Sequence, residues 1–78
     1  LCGQLPAGLK VRWNFAAGTR LDFNVHYHLG EKVMFASRLS AVAKGRNTLN
    51  TRTAQDYCWM WSNKSTTPAS LAVTLQRE

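Results

Sequence analysis

The sequence predicts an all-β fold, a compact antiparallel β-sandwich, and two observations carry this prediction. Apolar and polar residues alternate with a period of two in four separate segments, a pattern typical of strands that bury one face and expose the other. Residues that favour turns lie between the segments, so consecutive strands can pair as hairpins. The chain has 78 residues, which is enough for one small domain over residues 1–78 but leaves it only a marginal core.

Two alternating segments in the N-terminal half predict the first hairpin. In residues 9–17, the side chains expected to face the core are Leu9, Val11, Trp13 and Phe15. In residues 21–28, the corresponding side chains are Leu21, Phe23, Val25 and Tyr27. The sequence AAGT separates the two segments and supplies a glycine for the turn between them.

Two further alternating segments lie near the C-terminus. The first presents three aromatic side chains on one face, namely Tyr57, Trp59 and Trp61. The second presents Leu71, Val73 and Leu75. The sequence SNKSTTP between them is typical of a turn and ends at Pro68. Because a small sandwich needs large side chains to fill its interior, we expect the aromatic residues in the core rather than on a stacking platform for a carbohydrate or a base.

The middle of the chain permits two interpretations, and the sequence leaves both open. Phe35, Leu39 and Val42 have helical spacing, and Gly45 is a suitable C-terminal cap, which together predict one short helix over residues 35–44. A strand is the alternative for the same residues. The sequence GRNTLNTRTAQ that follows is rich in Asn, Thr and Arg, and it predicts an exposed turn or loop.

The chain contains two cysteines, Cys2 and Cys58, which could form a disulfide or remain two free thiols. A small β-domain with a marginal core commonly relies on a disulfide, so we expect the bridge. Closing a loop of this length would remove about 4 kcal/mol of chain entropy from the unfolded state. The bridge would in turn require an oxidising, extracytoplasmic compartment, either a periplasm or the outside of the cell.

Two elements of the sequence match a known family of domains. The first is an early cysteine followed by LP-x-G, formed by Cys2, Leu5, Pro6 and Gly8. The second is the late DYCWMWSNK, which contains Cys58 and Asn63. In these elements the chain resembles, over nearly its whole length, the Golgi-dynamics (GOLD) domains, the lumenal β-sandwich modules of cargo receptors, and more closely their small exported bacterial relatives. The resemblance implies a jelly-roll-like sandwich, a Cys2–Cys58 bridge and a role in binding proteins or lipids. Because the chain has no coiled coil or transmembrane helix, cargo-receptor traffic is not implied.

The histidines of LDFNVHYH form a candidate metal site. His26 and His28 are two residues apart, so in a strand both imidazoles project from the same face, about 7 Å apart at Cα. A further ligand could come from Met60, Glu31, Asp56 or, if reduced, Cys58. A thioether favours copper, whereas a carboxylate favours zinc or iron. The alternative is that the histidines merely continue the solvated polar face that Asp22 and Asn24 begin.

The charge of the chain favours anionic partners. Ten Lys and Arg residues against four Asp and Glu residues give a net charge of +6. The cations are scattered along the sequence and are not interleaved with a stacking-aromatic motif, which argues against a nucleic-acid module. Anionic lipid or an anionic polymer therefore remains a candidate partner for the basic surface.

The motifs of catalysis and of membrane insertion are missing from the sequence. It has neither the Gly-x-Ser-x-Gly elbow nor a phosphate-binding glycine loop, and no apolar run approaches the roughly 20 residues that span a bilayer. We therefore expect a non-enzymatic, extracytoplasmic binding module that acts through its cationic sheet face or exposed loops. A metal-handling protein that uses His26, His28 and Met60 is the second hypothesis, with copper favoured over zinc.

Overall fold

The computed structural model describes all residues, 1–78, as an all-β protein of five antiparallel strands without a helix. The strands are β1 Cys2–Leu5, β2 Lys10–Leu29, β3 Lys32–Asn50, β4 Gln55–Ser62 and β5 Leu71–Arg77. β2 and β3 form one long hairpin that runs through the whole molecule. β4 and β5 both pair with the opposite edge of β2, and β1 pairs with β4.

A sharp bend in the long hairpin converts it into two facing layers. The rings of Phe15 and Phe23 have centroids 4.7 Å apart, although eight residues of an extended strand would rise by about 26 Å. The register of β2 against β3 shifts at the same place, because the pair Ala16–Lys44 is followed by Leu21–Val42. Between these two pairs, β2 has four residues, 17–20, and β3 has one, residue 43. This large bulge bends the hairpin so that its two halves face each other.

Each layer contains one half of the hairpin and its own further strands. The first layer consists of residues 10–17 of β2, residues 44–50 of β3, and β5. The second layer consists of residues 21–29 of β2, residues 32–39 of β3, β4 and β1. The two layers form a sandwich whose inner faces carry the apolar residues that the alternation predicts.

The core lies between the layers and confirms the predicted inner faces of β2 and β4, whereas the apolar residues of β5, Leu71, Val73 and Leu75, remain 36 to 42% exposed. Its eight buried side chains are Val11, Trp13, Phe15, Phe23, Val25, Leu49, Tyr57 and Trp59. Tyr57 and Trp59 are therefore core residues, and Trp61 packs against the cluster while half-buried. The rings of Trp13, Phe15 and Phe23 contact one another at centroid distances of 4.7 to 6.2 Å, so aromatic side chains join the two layers.

Of the two interpretations left open for residues 35–44, the strand is confirmed and the helix is wrong, because these residues belong to the continuous strand β3. Leu39 and Val42 face the core three residues apart because β3 has one extra residue there, opposite Leu21 and Phe23. A bulge of this kind shifts the period-two alternation by one position and imitates helical spacing. The predicted loop is also shorter than expected, since residues 45–50 continue the strand and only residues 51–54 connect β3 to β4.

The side chain of Asp22 holds the bulge in place. Ala41 has a positive φ of 53°, which is uncommon for a residue with a Cβ. Its N–H donates a hydrogen bond to the Asp22 carboxylate at 3.0 Å, and the Lys64 ammonium lies 2.8 Å from the same carboxylate. Both interactions lower the pKa of Asp22, and the hydrogen bond with Lys64 is the larger cause.

The predicted Cys2–Cys58 disulfide is present and ties β1 to β4. The two residues are directly opposite each other, with Cα atoms 4.1 Å apart. The neighbouring residues Leu1 and Trp59 form two main-chain hydrogen bonds with each other. The cysteines therefore occupy the adjacent position of the antiparallel ladder, where no main-chain hydrogen bond joins the two residues and their Cα atoms lie closer together. A structural disulfide favours an oxidising compartment, in agreement with the extracytoplasmic location expected from the sequence.

Candidate functional site

The outer face of the second layer carries the two histidines, as the alternation predicts. The ring centroids of His26 and His28 are 5.3 Å apart. His26 lies between Cys58 on one neighbouring strand and Phe35 on the other, and it is only 7% exposed, whereas His28 is exposed. The two imidazoles therefore share a surface, but only one of them is open to solvent.

Hydrogen bonding fixes the tautomer of the buried imidazole. Nδ1 of His26 lies 2.6 Å from the Asn24 Oδ1 atom, and because a carboxamide oxygen only accepts, Nδ1 carries the proton. The Nε2 atom of the neutral ring then keeps a free lone pair. Burial, and after it the charge of nearby His28, lowers the pKa of His26, so the neutral form is favoured.

The structure brings one of the other candidate ligands to this face. Met60 lies opposite Asn24 on β4, and its sulfur is 3.9 Å from the Asn24 Nδ2 atom. Asn24 therefore contacts both Met60 and His26. Glu31 lies in the turn between β2 and β3, and no group of three or more His, Cys, Asp or Glu side chains is arranged to hold a metal ion. Cys58 is oxidised in the disulfide and is not a ligand.

The outer face of the first layer is basic, and its residues form a cationic sheet face of the kind that the sequence analysis expected without locating it. Four cations project from it, namely Lys10, Arg12, Lys44 and Arg46. Arg12 forms an ion pair with Glu78, in which Nε donates to Oε1 at 2.9 Å, while the other three have no carboxylate within 4.0 Å. The cations are scattered in sequence, but the register of the hairpin places Arg46 opposite Asn14 and Lys44 opposite Ala16. We call these four residues the basic face.

The exposed end of the hairpin adds an apolar surface next to the histidines. The side chains exposed there include Leu29, Val33, Met34 and Phe35, with exposed fractions of 38 to 52%. The guanidinium of Arg38 lies over the Phe35 ring, 3.7 Å from its centroid, as a cation–π contact. The two outer faces thus differ in chemistry, because one presents charge and the other presents imidazole, thioether and apolar groups.

The chain contains no helix that could span a membrane. Comparisons with protein-family models, with curated proteins and with solved structures found no match for this chain.

Proposed function

We propose that the protein is a non-enzymatic, extracytoplasmic binding module of GOLD-like type, and that its basic face binds an anionic partner. The observation that carries the proposal is the position of Lys10, Lys44 and Arg46 on one face without carboxylate partners. Unpaired cations on a solvated face attract anionic groups from a distance and lose little hydration when they bind them.

The disulfide supports the extracytoplasmic part of the proposal, and the resemblance to GOLD domains supports the role in binding. Disulfides form and persist in the oxidising compartments outside the cytoplasm, so the covalent link between β1 and β4 suits that location. Anionic lipid headgroups and sulfated or phosphorylated polymers share the chemistry that the basic face would bind.

The proposal is tested on immobilised heparin as a model polyanion, with the double variant Lys44→Gln/Arg46→Gln. We expect it to elute at lower salt than the wild type, because two cations are lost from the contact. The slope of log affinity against log salt should decrease by about two, one unit for each lost contact. Vesicles with and without anionic lipid, measured in parallel, distinguish a membrane surface from a soluble polymer.

The matched control is Arg20→Gln/Lys32→Gln, which removes the same charge at exposed positions outside the basic face. We expect this variant to elute close to the wild type. Equal losses in the two double variants would reduce the interaction to net charge and contradict a specific face. Binding that is independent of salt would contradict an electrostatic partner altogether.

A second candidate function, the handling of copper, is favoured by the shared face of His26, His28 and Met60. Imidazole and thioether groups are ligands that suit Cu(I), and the Asn24 side chain, which contacts both Nδ1 of His26 and the sulfur of Met60, would have to move before the two residues could share a metal ion. Zinc is less favoured because Glu31 is not grouped with the histidines.

The copper hypothesis is tested by titrating the wild type and a His26→Ala/His28→Ala variant with Cu(I), Cu(II) and Zn(II). Binding of Cu(I) that is lost in the double variant and weakened in Met60→Leu supports the site. Binding that the substitutions do not change, or no binding at all, contradicts it.

A further inference from the structure

The edge strand β5 leaves a row of main-chain groups without hydrogen-bond partners. It pairs only with β2, and the ladder between them ends in two bonds of 3.0 Å, from the Glu78 N–H to the Lys10 carbonyl and from the Gly18 N–H to the Ser70 carbonyl. Because main-chain groups alternate in direction along an antiparallel strand, the even-numbered residues of β5 bond to β2. The odd-numbered residues direct one N–H and one C=O each to the free edge, and they are Leu71, Val73, Leu75 and Arg77.

The other two edge strands of the molecule are short or charged, as exposed edges of soluble sheets commonly are. β1 has only four residues. β3 is the remaining edge strand of both layers, and it is interrupted by the bulge near Ala41 and carries four cations, namely Lys32, Arg38, Lys44 and Arg46. In contrast, residues 71–76 of β5 contain no charged residue, proline or glycine. β5 therefore lacks the features that keep an edge strand from pairing with another strand.

The inner side of β5 is apolar and incompletely covered. Val73 lies opposite Phe15 and Leu75 lies opposite Trp13, so both side chains point to the side of the core, yet Leu71, Val73 and Leu75 remain 36 to 42% exposed. A strand added at this edge would bond to the free main-chain groups and cover these side chains. It needs apolar residues at alternate positions and no charge opposite them. Among the edge strands only β5 has such a sequence, which favours a second copy of the chain as the partner.

We propose that two copies of the chain associate through β5, paired antiparallel about a two-fold axis at Thr74. In this register Val73 pairs with Leu75 of the second copy and Leu71 pairs with its Arg77. The two-fold axis repeats both pairs, and each pair of facing residues forms two hydrogen bonds, so four pairs give eight bonds and use every free group of the edge. A register centred on Val73 or on Leu75 has only three facing pairs within β5, and it leaves free groups unbonded.

Charge does not oppose this pairing. Arg77 is the only charged residue of β5 and lies opposite Leu71 of the second copy, so the two Arg77 residues are separated by about 20 Å along the strands. Strands that pair side by side keep their outer faces on the same side of the sheet. The two basic faces therefore lie on one side of a continuous layer of six strands, three from each copy. The association is independent of the proposed function, because one copy already presents a complete basic face.

The first test measures self-association of the wild type without any substitution. We expect sedimentation equilibrium to show a monomer that converts to a dimer between about 10 µM and 1 mM, since the interface is small. Over the same range, hydrogen exchange at the amides of Leu71, Val73 and Leu75 should slow, because these amides gain partners only in the dimer. The amides of Ala72 and Thr74 already bond to β2 and should change less. A monomer throughout the range, or a dimer without this alternating protection, would overturn the proposal.

The second test uses the position on the two-fold axis, where each residue meets its own copy. Thr74 is exposed, so Thr74→Lys and Thr74→Glu should both fold, and each places like charges opposite each other. We expect each variant alone to dimerise about fivefold more weakly, and an equimolar mixture to recover the wild-type affinity or exceed it. Gln4→Lys adds the same charge on exposed β1 and should stay within about twofold of the wild type. Equal losses in Gln4→Lys and Thr74→Lys, or no recovery in the mixture, would contradict this interface. If a Thr74 variant fails to fold, the exchange pattern of the wild type still decides.

Discussion

The two layers of the sandwich share the long hairpin of β2 and β3, but their outer edges are held in different ways. In the second layer, the edge strand β1 is fixed by the Cys2–Cys58 disulfide. In the first layer, the edge strand β5 has no covalent link, and its apolar residues Leu71, Val73 and Leu75 remain 36 to 42% exposed. The first layer therefore depends on the hairpin and on the aromatic contacts between the layers, whereas the second layer has its own anchor.

The outer faces show a corresponding difference in chemistry. The first layer exposes the basic face, and the second exposes His26, His28 and Met60 beside an apolar hairpin end. A single inner core thus supports two chemically separate surfaces in 78 residues. The difference shows that one shared interior can support two outer faces whose chemistry is set separately by the residues pointing away from it.

The largest effect is expected from Phe23→Ala, which removes the ring that joins the two layers. Phe23 is 1% exposed and contacts Trp13, Phe15 and Trp61. We expect the free energy of unfolding to fall by about 5 kcal/mol, near the upper end for such a truncation. Val73→Ala on exposed β5 is the control and should cost about 1 kcal/mol or less. Equal costs in chemical denaturation would mean that the layers are not joined through Phe23.

Loss of the disulfide is expected to be nearly as costly. The double variant Cys2→Ala/Cys58→Ala frees β1. It also increases the conformational entropy of the unfolded chain, since the bridge joins residues 56 apart in sequence. We expect the free energy of unfolding to fall by about 4 kcal/mol. Hydrogen exchange should then be faster at the amides of β1 and β4 than at those of β5. Uniform acceleration across both layers would contradict a local anchor for the second layer.

A smaller effect is expected where the first layer contacts the second through a glycine. A Cβ on Gly45 would lie 2.8 Å from Phe15 Cε1 and 3.0 Å from Leu39 Cδ1, so Gly45→Ala forces apart side chains of the core. We expect a loss of about 2 kcal/mol in the free energy of unfolding, measured by denaturant titration. Gly3→Ala in β1 has open space around its Cβ and should leave stability unchanged or raise it by about 0.5 kcal/mol. A neutral Gly45→Ala would contradict tight contact between the layers.

The inner faces of β2 and β4 could be predicted from sequence because local alternation determines them. Trp13, Phe23 and Trp59 lie in regular strand segments, where every second side chain points inward. The same reasoning placed His26, His28 and Met60 on one face. These predictions needed only the order of residues along single strands and the assumption that the strands pair.

The structure of β3 could not be predicted in this way, because bulges and pairing between distant residues determine it. The extra residue near Ala41 breaks the alternation that would identify a strand. It is held by a hydrogen bond from the Ala41 N–H to the carboxylate of Asp22, 19 residues earlier in the sequence. Alternation within β2 places Lys10 and Arg12 on the outer face, but Lys44 and Arg46 join them only through the register of β3 against β2. Sequence spacing alone does not contain that register.

The last prediction concerns pH and the outer face of the second layer. The pKa of His26 in the folded protein is lowered from its ordinary value of 6.5. As the pH falls, His26 therefore binds a proton in the unfolded chain before it does so in the folded protein, and protonation favours the unfolded state. The free energy of unfolding should therefore decrease from pH 7.5 to pH 5, and the decrease should be smaller in His26→Gln. His28→Gln is the control and should keep most of the wild-type dependence, since burial is the larger cause of the lowered pKa. Measurements above pH 4.5 avoid the separate contribution of Asp22, whose pKa is lowered from 3.8 and which loses its stabilising bonds only at lower pH. If His26→Gln retained the full dependence, the buried imidazole would not be its source, and the second layer would owe its acid sensitivity to another group.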